Sequence, residues 1–475
     1  MWTYLNAVVA VGAAVALTAV AASCAGAGDD RAGGKPEPTA LTLTMANGGY
    51  RPEELQPFAD EVARLSGGTM RIEFRDRWLG WPWSRPESAV IHDVAAGKAD
   101  LGWVGSRAWD DVGVSGFNAL HAPLLVDSYA LQGEVLESGV PGEMLKALEP
   151  LRLVGLGVLP GPLRKLLGVE RRLRQPADFR GQRIGITESR VARETLRALG
   201  ATAIALPAGA RIGGIDGIEQ QVESIEGNTY DADAKYLTTN INLWPRPLVL
   251  FMNEAAFAAL EPVQRRVLRE AVRHALRKAL AATRSRERDA VAVLCRRGLS
   301  FVVATPADIS TLREALAPVY RELERDDQTR AFIARIAKLR QATSVAAETL
   351  PSCSTGERSA SAALSDGVYT NTTTADDARR ARIPAGDPYY RLLPARHRLV
   401  LKSGDFVIHD IFPNGQTEIG ASGTYSVYRD RIIFQTREDK IPLRWSLEGN
   451  ALKFDDGGKG GYYGAGFTPP WTKTG

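Results

Sequence analysis

The chain is poor in the side chains that most often carry out chemistry. Its 475 residues include three cysteines and five histidines. Three cysteines are too few for a disulfide-dense scaffold, and the histidines show no metal-binding spacing such as HExxH. The sequence has no G-x-S-x-G elbow and no Walker loop, and the glycine-rich GARIGGIDG lacks the strand-to-helix context of a dinucleotide site. The sequence therefore predicts no enzyme, no metal site and no cofactor.

An excess of charge of one sign is also missing. The 59 basic side chains nearly balance the 55 acidic ones, which leaves a net charge of +4. Binding of nucleic acid needs a clustered basic surface, so no nucleic-acid partner is predicted. Apolar residues at 44% and charged residues at 24% are ordinary for a globular protein. A chain of this length is expected to form two or three domains.

One long apolar run lies between Asn6 and Ser23 and is followed directly by Cys24. Residues 1–24 resemble a secretion signal with a lipobox, in which Cys24 is lipidated and becomes the mature N-terminus. This predicts an extracytoplasmic bacterial lipoprotein that a lipid anchor holds at the membrane. The alternative is an uncleaved single-span anchor, for which the run is short. Residues 25–40 predict a flexible tether.

Two regions alternate strands and helices, which predicts an α/β fold. In the first, strands at 41–45, 70–74 and 100–105 are separated by helices and predict a parallel sheet. The loops 46–50, 76–85 and 105–110 follow these strands, at the edge where such sheets bind ligands. In the second, strand 183–186, a helix ending at Gly200 and strand 203–206 form a βαβ unit.

The order of these segments predicts a clamp of two lobes. Lobe 1 comprises about 41–157 with part of 254–344, and lobe 2 comprises about 158–253, because strand 247–253 leads the chain back out. A long helix from about 261 to 294 connects the lobes. Residues 345–365 predict a linker. Residues 366–475 contain short alternating strands and predict a small antiparallel β-meander or partial barrel, vaguely similar to lipocalin-like modules.

Several motifs of residues 41–340 occur in a familiar order. AAGKADLGWVG is followed by GQRIGITES, LGAT, ALP, GGIDGIEQ and KYLTTN. This pattern resembles the DctP-type substrate-binding subunits of TRAP transporters. The resemblance implies a small organic-anion ligand and a TRAP-type membrane permease as partner. It also places Arg164 as a pocket residue, where a guanidinium would bind a carboxylate through two hydrogen bonds.

The sequence departs from that family at Gly185, where the family has a second carboxylate-binding arginine. Loss of a charge-assisted hydrogen bond costs roughly 1.5–3 kcal/mol. We therefore expect that Arg107 or Arg183 substitutes for it, or that the ligand is not an ordinary dicarboxylate. Flat indole faces suit an aromatic or sugar-like ligand or a cation, and the candidate ligand-binding residues around the cleft are Tyr50, Trp109, Trp244 and Asn228.

Cys295 and Cys353 are the thiols left after Cys24. In an exported protein the pair predicts a disulfide between the long helix and the linker. The function predicted from all these features is capture of a small carboxylate-bearing solute, with an aromatic acid as one option. The alternative is a surface lipoprotein with a degenerate cleft that binds another protein through its C-terminal β module.

Overall fold

The computed structural model describes residues 40–47, 54–75, 78–79, 85–207, 210, 212–343, 345–353, 364–413, 415–428, 430–436, 440–457 and 461–474. Cys24 and Tyr50 lie outside these residues, as does most of the predicted ligand-binding loop 76–85. The chain divides into two compact units, whose boundary lies between Ser359 and Ala360. The larger unit, residues 38–359, is called the clamp, and the C-terminal unit is called the barrel.

The elements of the clamp follow the predicted alternation of strands and helices. The strands are β1 (Leu41–Asn47), β2 (Met70–Arg75), β3 (Leu101–Gly105), β4 (Leu153–Leu159), β5 (Arg164–Gly168), β6 (Arg183–Ile186), β7 (Thr202–Ala205), β8 (Gly217–Gln221), β9 (Tyr236–Thr238), β10 (Leu248–Asn253) and β11 (Ser300–Val302). The helices are α1 (Gln56–Leu65), α2 (Ser88–Ala95), α3 (Tyr129–Glu137), α4 (Gly139–Met144), α5 (Pro176–Phe179), α6 (Arg190–Ala198), α7 (Val222–Gly227), α8 (Glu254–Ala259), α9 (Pro262–Arg296), α10 (Pro306–Ala315), α11 (Ala317–Leu323) and α12 (Asp327–Thr343). Short 3₁₀ helices cover Ser106–Val112, Ser115–His121, Leu145–Leu151 and Tyr230–Ala232.

Each lobe is built on one sheet. The described strands of lobe 1 run in the order β2-β1-β3-β10-β4, and those of lobe 2 in the order β11-β9-β5-β8-β6-β7. β1 is parallel to β2 and β3, as predicted, but β10 is antiparallel to β3 and β4. The sheet is therefore mixed, because β10 enters it from the other lobe. The two-lobed α/β fold predicted from the sequence is confirmed.

The βαβ unit of lobe 2 forms for the reasons visible in its sequence. The Ser189 hydroxyl caps α6 by accepting from the backbone N–H of Ala192 at 3.4 Å. Val191, Thr195 and Leu196 form the buried face of α6. The helix is followed by Gly200, whose φ of +79° suits a residue without a Cβ. Strands β6 and β7 then pair in parallel.

Helix α9 connects the lobes along 35 residues, about 52 Å of helix. It begins at Pro262, whose fixed φ suits the first helical position. It packs against α1, α3 and β4 of lobe 1 and against α7 of lobe 2. No helix in the described part of the chain is long and apolar enough to cross a membrane.

The C-terminal unit closes into a barrel, which corrects the predicted meander or partial barrel. Its strands are β12 (Gly367–Thr373), β13 (Ala395–Lys402), β14 (Asp405–Ile411), β15 (Thr417–Tyr428), β16 (Arg431–Gln435), β17 (Lys440–Glu448), β18 (Ala451–Asp455) and β19 (Trp471–Lys473), with α13 (Ala375–Arg380) and α14 (Gly461–Phe467). The sequence pattern missed β12 and β19, and these two strands close the barrel by pairing with each other. β12 is rich in threonine, and β19 is only three residues long, so neither shows the usual apolar alternation.

The barrel interior holds a cluster of aromatic side chains and a cluster of hydrogen-bonded polar side chains. Phe434 packs against Phe406, Phe454 and Phe467 with ring centroids 4.8–5.7 Å apart. Asp410 points inward and accepts from His397 at 2.6 Å.

Candidate functional site

The two lobes meet around a small cavity of about 10 Å³, room for roughly one water molecule. Both lobes contribute to its wall, so the cleft is closed in this structure. The lining residues are Arg107 and His121 from lobe 1, Arg164, Thr187, Ser189, Ala192 and Glu219 from lobe 2, and Trp244, Pro245 and Arg246 from the segment that returns between them.

Arg164 lies at this cavity because it is the first residue of β5. Strand β5 is antiparallel to β8, and their register places Arg164 opposite Gln221, the last residue of β8. Thr187 directly follows β6, which lies beside β8. The start of one strand and the ends of two others therefore converge at one edge of the lobe 2 sheet.

The guanidinium of Arg164 is buried, and each of its three nitrogens donates hydrogen bonds. It forms an ion pair with the Glu219 carboxylate, and its Nη2 donates to Glu219 Oε2 at 3.0 Å. It also donates to Gln220 Oε1 at 2.7 Å, to Gln221 Oε1 at 3.2 Å and to Thr187 Oγ1 at 2.9 Å. The residue thus binds one charged acceptor and three neutral side chains.

Two further arginines lie at the same cavity, each with its own glutamate. Arg107 pairs with Glu87, and Arg246 donates to Glu54 at 3.0 and 3.3 Å. Together with the Arg164–Glu219 pair, these contacts balance three guanidinium charges with three carboxylates. The cavity is lined with hydrogen-bond donors but carries little net charge.

His121 lies fully buried beside these cations. Its Nε2 is 2.6 Å from Ser106 Oγ. Burial, and then the charges of Arg107 and Arg164, lower the pKa of His121 to about 3. The imidazole is therefore neutral near pH 7 and can form one hydrogen bond with the Ser106 hydroxyl.

The hinge behind the cavity consists of two chain segments that cross between the lobes. Leu163 and Pro245 form an isolated antiparallel bridge, and the N–H of Arg164 donates to Trp244 O at 2.9 Å. The Lys165 ammonium is buried beneath them and donates to Thr239 O at 2.9 Å and to Asn242. Burial lowers the pKa of Lys165 to about 8.

Residues 345–353, which begin the predicted linker, are held against this hinge. The Glu348 N–H donates to Asp127 O of lobe 1 at 2.8 Å, and the Asn242 side chain donates to Glu348 O at 2.7 Å. Cys353 is joined to Cys295 of α9 by a disulfide, with Cα atoms 5.3 Å apart. This segment therefore touches both lobes and the helix that connects them.

The structure brings only some of the predicted site residues together. Arg107, Arg164 and Trp244 line the cavity. Arg183 does not, because it lies at the start of β6, away from Thr187, where its side chain donates to Gly214 O. Asn228 follows α7 and donates to Ser224 O at 2.9 Å, a structural role at the end of that helix.

Trp109 is a core residue and not a cleft residue. It is fully buried, and its ring centroid lies 5.0 Å from that of Phe251 and 5.7 Å from that of Phe117. The segment from Ser106 to Val112 is a 3₁₀ helix, in which residues three apart share a face. Ser106 and Trp109 therefore both face inward, while Arg107 faces the cavity.

Gly185, where the motif resemblance implies a second arginine, is surrounded by aliphatic side chains. A Cβ added to Gly185 would lie 2.2 Å from Leu206 Cδ1, 2.9 Å from Ile218 Cγ2 and 3.0 Å from Ile215 Cδ1. No guanidinium fits there without repacking of this cluster. Arg107 and Arg246 are the additional arginines that the cavity does have.

Sequence reasoning missed Arg246, His121 and two of the carboxylates that neutralise the arginines, Glu54 and Glu87. Arg246 carried a detectable signal, since it is a charged residue between two prolines at the start of an apolar strand. Glu54, Glu87 and His121 had none, because they come from separate segments that only the fold brings together. Among the described residues, no group of His, Cys, Asp and Glu side chains could hold a metal ion.

Comparison with known proteins gives one family and one fold. The family described as "DctP: Bacterial extracellular solute-binding protein, family 7" matches residues 46–326, more than half of the chain. The uncharacterized protein y4mM of Sinorhizobium fredii is 24% identical over 296 residues, which are 60% of this chain and 53% of that protein. The chain thus spans about half the length of this relative.

Two solved structures show the same fold. A TRAP periplasmic solute-binding protein from Ochrobactrum anthropi, with its C-terminus bound in the ligand-binding pocket, has a TM-score of 0.57 and 21% identity and covers 64% of this chain and 98% of that chain. One from Roseobacter denitrificans with bound β-D-glucuronate has a TM-score of 0.56 and 18% identity and covers 62% of this chain and 99% of that chain.

Proposed function

Because the chain belongs to family 7 of the bacterial extracellular solute-binding proteins, we propose that it captures a small organic acid of the sugar-acid class between its lobes and delivers it to a TRAP-type membrane permease. The observation that carries this proposal is the buried Arg164 at the cavity between the lobes, with Arg107 and Arg246 beside it. The mechanism is closure of the lobes around the ligand. Glucuronate in the Roseobacter denitrificans protein supports the choice of ligand class.

The acceptors of Arg164 indicate how a ligand carboxylate would enter. If the ligand displaced Glu219 from Arg164, the buried Glu219 carboxylate would be left unpaired, which is costly. If the ligand displaced Gln220, Gln221 and Thr187, Arg164 would exchange neutral acceptors for a charged one, and hydrogen bonds to a charged acceptor are roughly twice as strong. We infer that the ligand displaces these three side chains and leaves the Arg164–Glu219 pair in place.

A ligand needs more room than the closed cavity offers, so the lobes must first open. The space of about 10 Å³ excludes a sugar acid from the closed arrangement. Trp244 lines the cavity and could stack on a sugar or an aromatic ring. An aromatic acid therefore belongs among the compounds to be tested.

The test is a thermal-shift and calorimetric titration with D-glucuronate, D-galacturonate, D-gluconate and benzoate, with neutral glucose as the uncharged control. Stabilisation that grows with the concentration of an acid would support the proposal. We expect Arg164→Gln to weaken that binding by roughly tenfold to a hundredfold. Arg183→Gln, an exposed arginine at the other end of β6, is the matched control and should leave it unchanged.

Indifference of the protein to every acid, or equal binding by Arg164→Gln, would contradict the proposal. Indifference would shift the interpretation to a lipoprotein that binds another protein through its barrel.

We also propose that Cys24 anchors the protein by a lipid at the outer side of the cytoplasmic membrane. This rests on the signal-like segment before it, which lies outside the described residues. Cys24→Ser should move the protein from the membrane fraction to the soluble fraction. Retention of this variant in membranes would contradict lipidation.

A further inference from the structure

A second cavity, of about 340 Å³, lies away from the cleft. Its lining consists of Pro123, Leu124 and Leu125 together with Arg313 of α10, Tyr320 of α11 and Arg340 of α12. Sites for small molecules usually measure about 300–1,000 Å³. This cavity therefore has the size of a ligand site, which the closed cleft does not.

The wall of this cavity comes from both lobes. Helices α10 and α11 pack on α5 and α6 of lobe 2, while α12 packs on α3 and the 3₁₀ helix Ser115–His121 of lobe 1. Tyr320 joins the two sides by donating its hydroxyl to Pro123 O at 2.8 Å. A molecule bound between Arg313 and Arg340 would touch groups that belong to different lobes.

The charges at this cavity are not balanced, in contrast with those of the cleft. Arg340 pairs with Asp127 and donates through Nη1 to Leu125 O at 3.0 Å. Arg313 has one ionic contact, 3.8 Å from its Nη2 to Asp127 Oδ2, and half of its side chain is exposed. One carboxylate thus serves two guanidinium groups, and most donors of Arg313 have no partner in the described part of the chain.

The backbone of the cavity is held in an uncommon conformation. Leu124 has a φ of +62°, which a non-glycine residue rarely adopts. Its N–H donates to Leu243 O at 2.8 Å, and Arg340 binds its carbonyl. Strained backbone that the surroundings hold in place is frequent at ligand sites. The same segment continues from His121 at the cleft to Asp127 at the hinge.

We propose that this cavity is a second binding site, for a small organic anion whose carboxylate bridges Arg313 and Arg340. The Arg313 guanidinium, whose ionic contact with Asp127 is a long one of 3.8 Å, provides the charge, and Arg340 provides a donor that the fold already fixes in place. Leu124 and Leu125 provide an apolar wall for the carbon skeleton of the ligand.

The experiment uses the full chain with Arg164→Gln, in which binding at the cleft is weakened, and succinate as the probe. Isothermal titration should then show one succinate bound per chain. Adding Arg313→Gln should weaken that binding at least tenfold, because it removes a charge-assisted hydrogen bond. The matched control is Arg321→Gln, an exposed arginine of α11 that does not line the cavity.

A crystal soaked with 4-bromobenzoate locates the site directly, since bromine scatters anomalously. A bromine peak between Arg313 and Arg340 would support the proposal. Succinate binding weaker than about 10 mM in the Arg164→Gln protein, or binding that Arg313→Gln leaves unchanged, would overturn it. Binding at this cavity is distinguishable from residual binding at the cleft, because Arg313 lines this cavity and not the cleft, so Arg313→Gln should leave cleft binding unchanged.

Discussion

Arg190 of lobe 2 and Asp110 of lobe 1 join the closed lobes through two hydrogen bonds. Arg190 Nε donates to Asp110 Oδ2 at 2.9 Å and Nη2 donates to Asp110 Oδ1 at 3.3 Å. Asn118 holds the same carboxylate at 2.7 Å. Arg190 is the first residue of α6, directly after the Ser189 that lines the cavity. This ion pair therefore spans the cleft in the closed arrangement of the lobes.

Removing this pair should weaken ligand binding slightly. Arg190 is 42% exposed, so solvent screening limits the contribution of the pair to at most about 1 kcal/mol. We expect Arg190→Gln to raise the dissociation constant of the bound acid about twofold to fivefold, measured by calorimetry. Arg193 lies on the same helix as Arg190, and Arg193→Gln, which breaks a surface pair with Glu188, is the control. Equal effects of both variants would show that Arg190 does not act as a latch.

Placing an arginine at position 185, where the motif resemblance implies one, should not create a carboxylate site. Gly185→Arg forces a side chain into the cluster of Leu206, Ile215 and Ile218, and overpacking of this kind costs about 1–3 kcal/mol. We expect a lower melting temperature and no gain in affinity for the acid. Gly213→Ala is the control, because nothing lies within 4 Å of the added Cβ. A stable Gly185→Arg protein with tighter binding would contradict this packing argument.

The disulfide should contribute substantially to the stability of the clamp. Cys295 and Cys353 are 58 residues apart, and closing a loop of that length stabilises by at most about 4 kcal/mol through the unfolded chain. We expect Cys353→Ser to lower the free energy of unfolding in a urea titration. A reducing agent should have the same effect on the native protein and none on the double variant Cys295→Ser/Cys353→Ser. Insensitivity of the native protein to reduction would contradict this prediction.

His121 should make the clamp less stable in acid. An unfolded histidine has a pKa of about 6.5, whereas that of His121 is lowered to about 3 by burial and by Arg107 and Arg164. Between these pH values the unfolded chain binds a proton that the folded chain does not, so stability falls as the pH falls. The loss amounts to at most about 5 kcal/mol at pH 3.

The measurement is the free energy of unfolding at several pH values between 7 and 3. His121→Gln should lose less stability over this range than the native protein does. His92→Gln changes an exposed histidine of α2 and should follow the native profile. A His121→Gln profile parallel to the native one would show that this histidine does not contribute.

The polar group inside the barrel should stabilise that unit alone. His397 contacts Asp410 at 2.6 Å and Thr373 at 2.9 Å, and Thr373 donates to Ala465 O at 3.2 Å. Asp410→Asn replaces the charged acceptor and should cost about 1–3 kcal/mol, seen as faster hydrogen exchange of barrel peptides. Asp405→Asn, exposed on the same strand, is the control. Unchanged exchange in Asp410→Asn would contradict the prediction.

The clamp fold could be read from the sequence because its determinants are local. The spacing of apolar residues, the cap at Ser189 and the glycine after α6 each act within a few residues. The barrel was recognised as antiparallel β structure for the same reason. Its closure was not, because pairing of β12 with β19 depends on residues about one hundred positions apart.

The sequence by itself determined the two-lobed scaffold, because its strands and helices form from local patterns, and the resemblance of its motifs to DctP-type proteins indicated Arg164 as a pocket residue. Only the tertiary structure decided which other groups meet it. Burial placed Trp109 in the core, strand direction placed Arg183 at the far end of β6, and packing of three aliphatic side chains filled the space beside Gly185. In the cleft, three glutamates balance three arginines, whereas the charges around Arg313 are not balanced. Both arrangements arise from contacts between distant segments, which no local pattern encodes.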